Sequence, residues 1–287
     1  MSFVAFARAH GLVIGDLYAS DRIRRCETED HPHKKNGAYL WDGTRGWVFR
    51  WDGEAKTHWY ADPNAKPWTD EEKRAWAEKR RQAEAQQEQR RRQAATRAGE
   101  MLRTAVPGTH DYLIRKSLGA VQGLVLPDGA LMVPMRNHLT NQLQGAQVIR
   151  WLPEERRFEK KMLPGMRAKG AVLRLGKGRE VVLCEGYATG LSIELAARSV
   201  GLNATVLVTF SDSNLVHVAQ HVTGRVYTFA DNDKSGAGEE AAKEAGFPYC
   251  MSEELGEDAN DMHARAGLMA VAQQLMKVRR MDAVASG

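Results

Sequence analysis

The sequence has 287 residues and 43% hydrophobic side chains, enough for one large or two smaller compact units and too apolar for a wholly disordered chain. A net charge of +5 and a pI of about 9.1 favour polyanionic partners. Cys26, Cys184 and Cys250 are odd in number, far apart and without a CxxC, which excludes a disulfide framework and a zinc ribbon. No apolar run is long enough to span a bilayer, and residues 1–16 lack the layout of a secretory signal. A cytoplasmic, reducing setting is expected.

Residues 1–66 read as a small aromatic-rich β module. A short apolar helix opens it. The stretch Ala38–Tyr60 then alternates strand, Asp42-Gly43 turn, strand, Asp52-Gly53 turn, strand. Trp47, Phe49 and Trp51 alternate and so share one strand face. That face is expected to be the core of the small sheet; its rival is a surface where rings stack on single-stranded bases. Lys34 and Lys35, with Arg45, are candidate nucleic-acid contacts. Cys26, His31 and His33 lack a fourth zinc ligand nearby.

Residues 67–107 read as a long charged helical linker. Thr69-Asp70-Glu71-Glu72 is a capping box, and Pro107-Gly108 closes the segment. Ala, Gln, Glu and Arg dominate, so the helix of roughly 50 Å has too little apolar stripe to be buried along its length.

Residues 108–179 read as a basic α+β subdomain. A helix over 110–118 precedes strands near Leu131–Arg136, Gln144–Leu152 and Ala171–Leu175. From 131 to 179 there are eleven Lys or Arg and three acids, a net of +8 that exceeds the whole chain's +5. Charge concentrated in this way is a nucleic-acid signature. Lys160, Lys161, Arg167 and Lys169 are its candidate phosphate contacts.

Residues 180–287 alternate strand and helix, which implies a parallel sheet with right-handed crossovers. The functional edge of such a sheet lies at the carboxyl ends of its strands. Glu185 ends the first strand and Asp231 the third, with Asp233 two residues on. Three acids so placed suit Mg²⁺ or Mn²⁺, which take oxygen ligands. An EF-hand would need Glu at loop position twelve, where Ala242 stands, and a helix before the loop. A DxD phosphatase would leave Glu185 and the basic segment unexplained. No GxxxxGK[ST] is present.

Strand–Glu185-Gly186–helix, followed by strand–Asp231-x-Asp233-x-x-Gly236, resembles the Toprim domain of primases, topoisomerases and small nucleases. "RCETEDHPHKKNGAY", "DYLIRKSL", "LMVPMRN", "LQGAQVIRW" and "GEDANDMHARAG" narrow the resemblance to primases of phages and conjugative plasmids. It implies an α/β fold: a C-terminal Toprim domain whose parallel sheet is flanked by helices, preceded by the mixed α+β basic subdomain, the long helix and the N-terminal β-rich module. It implies Glu185 as acid/base residue and metal ligand, Asp231 and Asp233 as metal ligands, Asp258 as ligand of a second metal, and Asp261 in the same acidic motif. Lys234 then joins the phosphate contacts. The implied partners are single-stranded DNA, ribonucleoside triphosphates and a separate helicase, with no membrane. The implied activity is primer synthesis, with a Toprim nuclease and a catalytically idle nucleic-acid-binding accessory protein as alternatives. The family's cysteine-rich zinc module has no counterpart here.

Overall fold

The computed structural model describes residues 1–53, 56–63, 65 and 67–285, with side chains to Met281. Lys66, expected to end the first module, lies outside the described residues, as do 54–55 after the Asp52-Gly53 turn and 286–287. Two compact units emerge, Met1–Arg80 and Arg81–Gly287.

In the first unit the Ser2 hydroxyl caps α1 (Phe3–Ala9) by accepting the Ala5 N–H at 3.2 Å. An antiparallel sheet follows: β1 (Leu12–Val13), β2 (Ser20–Thr28), β3 (Gly37–Trp41), β4 (Arg45–Arg50) and β5 (His58–Ala61), adjacent in that order. The Asp42 carboxylate accepts the N–H groups of Thr44 and Arg45 (2.8 and 2.6 Å), which tightens the β3–β4 turn. β2 was not legible as a strand because Ser-Asp-Arg-Ile-Arg-Arg has no period-two pattern.

Trp47, Phe49 and Trp51 share a face, but it is not the core. The core of this unit is the opposite face, where Cys26, Tyr39, Val48 and Tyr60 pack under Phe3 and Ala7. Phe3 stacks on Trp41 with ring centroids 4.7 Å apart. Helix α1 covers that face: a Cβ on Gly46 would run into the Leu40 carbonyl oxygen and meet the Phe3 ring at 2.8 Å. The larger rings are left outside, with Trp51 51% and Trp59 69% exposed.

Helix α2 (Asp70–Thr104) begins with the expected capping box. The Thr69 N–H donates to Glu72 at 2.7 Å, and the Glu72 N–H donates to the Thr69 hydroxyl at 3.2 Å. Its buried residues are Ala94 and Ala98, in its later turns. There Ala98, Met101 and Leu102 pack with Leu126, Met132, Val148 and Leu163.

The second unit continues with β6 (Val106–Gly108), α3 (Asp111–Arg115), β7 (Gly123–Val125), β8 (Leu131–Asn137), β9 (Leu143–Leu152), β10 (Arg157–Met162) and β11 (Ala171–Gly176). Then come β12 (Glu180–Cys184), α4 (Tyr187–Ser199), β13 (Ala204–Val208), α5 (Asp212–Ala219), β14 (Val226–Phe229), α6 (Ala237–Ala245), β15 (Tyr249–Cys250), α7 (Ala259–Ala266) and α8 (Leu268–Ala285). One sheet runs β10-β9-β8-β11-β13-β12-β14-β15, with β7 beside β8 and β6 beside β7. Strands β13, β12, β14 and β15 are parallel, and β11 joins them antiparallel. β13 is buried at every position, as a strand covered on both faces must be. On one face Val182, Val206, Tyr227 and Phe229 pack against α4, α7 and α8; on the other Leu183, Leu207 and Val226 pack against α5. Each such side chain contributes about 1.5–3 kcal/mol by leaving water.

Candidate active site

The carboxyl ends of β12, β13 and β14 meet at one edge. The N–H of Thr209 donates to the Cys184 carbonyl and that of Phe210 to the Glu185 carbonyl, both at 2.9 Å. These bonds tie the end of β13 to the end of β12 and bring Asp212, at the start of α5, against Glu185. Glu185 and Asp212 face each other closely enough for their carboxyls to share a proton. Burial first, then Asp212 and Asp233, push the Glu185 carboxyl up to about 7, while Lys160 pulls it down. Asp212 is also raised, chiefly by burial.

Asp231 follows β14. Its Oδ1 is buried and accepts no hydrogen bond. Burial, followed by Asp258, Glu185, Asp212 and Asp233, raises it to about 8. Gly238, in the first turn of α6, lies against this residue's backbone, and a Cβ there would run into the Asp231 carbonyl oxygen. A glycine is required for that approach.

Asp233 is differently placed. One oxygen accepts the Ser235 N–H at 2.7 Å and the Ser235 hydroxyl; the other accepts the Gly238 N–H at 2.9 Å. These bonds hold its carboxyl below the usual range. Asp258 is the N-cap of α7, accepting the Asn260 and Asp261 N–H groups, while its other oxygen accepts the Thr189 hydroxyl at 3.1 Å. Asp261 turns away to an ion pair with Lys116 at 3.1 Å.

The basic residues divide. Lys160 lies 5.4 Å from the Tyr112 ring centre and acts on Glu185. Lys161, its neighbour on β10, alternates to the other face and pairs with Glu159 at 2.7 Å. Arg150 and Arg157 are likewise paired, with Asp128 and Glu155. Arg167 and Lys169 are exposed near His217, and Lys234 is exposed in the loop after Asp233. Lys34 and Lys35 are exposed between β2 and β3 of the first unit.

Carboxyls crowded this closely hold protons near neutral pH unless a cation offsets them. The partnerless Asp231 oxygen fits a divalent ion. Among the described residues no three His, Cys, Asp or Glu side chains already converge at ligand distance. Mg²⁺ does not require that, since it keeps several waters and takes one or two carboxylates plus substrate phosphates. Sequence reasoning missed Asp212, although Ser211-Asp212-Ser213 stands after β13 as Glu185 stands after β12. The same strand-end rule identifies it.

Among the described residues no helix is long and apolar enough to cross a membrane. Among curated proteins none matches the chain. A family model described as a Toprim domain matches residues 180–268, the segment holding Glu185, Asp212, Asp231, Asp233, Asp258 and Asp261. The architecture is the expected one: N-terminal β-rich module, long helix, mixed α+β region and C-terminal sheet flanked by helices. A Toprim domain is present in the C-terminal region of this chain.

Proposed function

We propose that the protein is a DNA primase that joins ribonucleotides into short RNA primers on single-stranded DNA, in the cytoplasm of a cell carrying a phage or mobile element and beside a separate helicase. The observation that carries this reading is the acidic edge of the Toprim domain, with the partnerless Asp231 oxygen at its centre and Lys160 close enough to favour the ionised form of Glu185.

Asp231 and Asp233 would hold a divalent cation, Mg²⁺ or Mn²⁺, and Asp258 a second one; such ions would neutralise the charge of the triphosphate. Glu185 takes the proton of the attacking 3′-hydroxyl as that oxygen bonds to the α-phosphorus and pyrophosphate leaves. A carboxyl at about 7 is partly ionised at neutral pH, and Lys160 favours the ionised form. Lys160 and Lys234 steady phosphates; Arg167 and Lys169 follow the template backbone.

The test supplies single-stranded DNA, labelled ribonucleoside triphosphates and Mg²⁺ to the wild type and to Asp231→Ala. Labelled oligomers made by the wild type and lost in the variant support the proposal. Template degradation that depends on Asp231 replaces it with a nuclease. DNA binding without either product replaces it with an accessory protein.

A further inference from the structure

The aromatic face of the first unit is laid out by the register of its strands. Trp47 stands opposite Leu40 on one side and Trp59 on the other, and Phe49 stands opposite Ala38, which in turn pairs with Arg25. Residues directly opposite one another share a sheet face, so Arg25, Phe49, Trp47 and Trp59 lie together. Trp51 continues the row just past β4. Its N–H donates to the Asn36 carbonyl at 2.9 Å, and its ring meets that of Phe49 edge-on with centroids 4.7 Å apart. Four residues of strand separate Trp47 from Trp51, roughly 13 Å. The rings at the two ends, Trp59 and Trp51, are exposed, while Trp47 and Phe49 between them are half-buried.

Cations are set among these rings. The Arg25 guanidinium lies 3.6 Å from the Trp51 ring centre, and its Nε donates to the Lys35 carbonyl at 3.0 Å. One side of the Trp51 ring is fixed in this way, and about half of the residue still faces water. Arg45, at the start of β4, holds its guanidinium 4.7 Å from the Trp68 ring centre. Glu27 shares the Arg25 face of β2. Against it stand Arg25, Lys34 and Lys35, none of them ion-paired among the described residues. An apolar protein surface laid here would bury cations without partners, at a cost that a polyanion avoids.

We propose that this face is a base-stacking platform for a single strand of nucleic acid, with unpaired bases on Trp59 and Trp51 and phosphates along Arg25, Lys34 and Lys35. Every base has a π face, so such a surface binds with little regard to sequence, and a duplex, whose base faces are hidden, is disfavoured. The distance along β4 matches about four bases stacked at ~3.4 Å each. The platform needs no chemistry at the acidic edge. It gives the first unit its own hold on a strand.

The test uses the full chain in EDTA, which silences divalent-ion chemistry, and reads fluorescence anisotropy of end-labelled strands of about 16 nucleotides. Three strands are compared: oligo-dT, oligo-rU and one whose central residues lack bases. Affinity for the base-bearing strands should fall about fivefold or more in Trp59→Ala and in Trp51→Ala, with no change on the abasic strand. Tighter binding of dT identifies a DNA template as the source of the strand, and tighter binding of rU an RNA primer. Lys34→Ala with Lys35→Ala should weaken all three strands alike and flatten the salt dependence. Trp59 is exposed on an edge strand, so its variant remains informative if Trp51→Ala, which releases Arg25, fails to fold. No loss in Trp59→Ala, or an equal loss on the abasic strand, overturns the proposal, whether or not the wild type makes primers.

Discussion

The two units each contain an aspartate with little access to water, and they treat it in opposite ways. Asp52, in the first unit, has a side chain 7% exposed. Burial raises its pKa, but Thr28, His31, Asn36 and Arg50 all hydrogen-bond to it and together hold it well below the usual carboxylate range. Asp231, in the second unit, has a buried oxygen with no donor and four acids for neighbours, and it rises to about 8. The first charge is paired by the fold. The second is left for something outside the chain to pair.

That contrast can be broken at its strongest point by chemistry. Glu185→Gln keeps the shape of the acidic edge but removes the proton acceptor, and primer synthesis should fall by about 10²–10⁴-fold with DNA binding retained. Loss of binding alongside activity would mean that Glu185 organises the site and does not move a proton.

The next effect is on stability. Asp52→Ala strips Thr28, His31 and Asn36 of their acceptor and leaves the Arg50 guanidinium with Asp30 as its remaining carboxylate, and should destabilise the first unit by about 1–3 kcal/mol, read by chemical denaturation. A change under about 0.5 kcal/mol would show that Asp30 and solvent satisfy these groups.

Asp231→Asn should do the reverse. It removes the like charge and should stabilise the metal-free second unit by about 0.5–2 kcal/mol while abolishing activity. The pH dependence follows the same sign. Glu185 and Asp231 have folded pKa values of about 7 and about 8, above their ordinary values of 4.5 and 3.8, so they bind more protons folded than unfolded. Their stabilising contribution is complete below the ordinary carboxylate range and is lost as pH rises through about 7 and 8. The melting temperature in a chelator should therefore drop across that interval, and Mg²⁺ should restore it. A flat profile would sink the account of the acidic edge.

The smallest effect separates neighbours on one strand. Lys160→Ala should flatten the salt dependence of single-stranded DNA binding by about 0.7 in slope, whereas Lys161→Ala, already paired with Glu159, should leave it nearly unchanged.

What was legible in the sequence follows from how local each signal is. The capping box, the strand–helix alternation after residue 180 and the acids at strand ends are all encoded within a few residues, and each appears in the fold. Asp212 was harder because its meaning comes from pairing: only the bonds tying Thr209 and Phe210 to β12 set it against Glu185. The tryptophan face was misjudged because alternation says which side chains share a face, not which face a helix covers. Gly46, which admits Phe3, was the clue to that choice. The split between Lys160 and Lys161 was readable from strand period, once β10 was known to be a strand.

Strand β11 carries a consequence for dissecting the molecule. It pairs with β8 through Ala171 and Val172 and with β13 through Leu173 to Gly176, so it is a shared seam and not a linker. A polypeptide cut at Glu180 would keep every acid of the Toprim domain yet bare the flank of β13, a buried strand of Ala-Thr-Val-Leu-Val, as a sticky edge. Such a fragment should self-associate, and adding back residues 171–176 as a peptide should suppress the association.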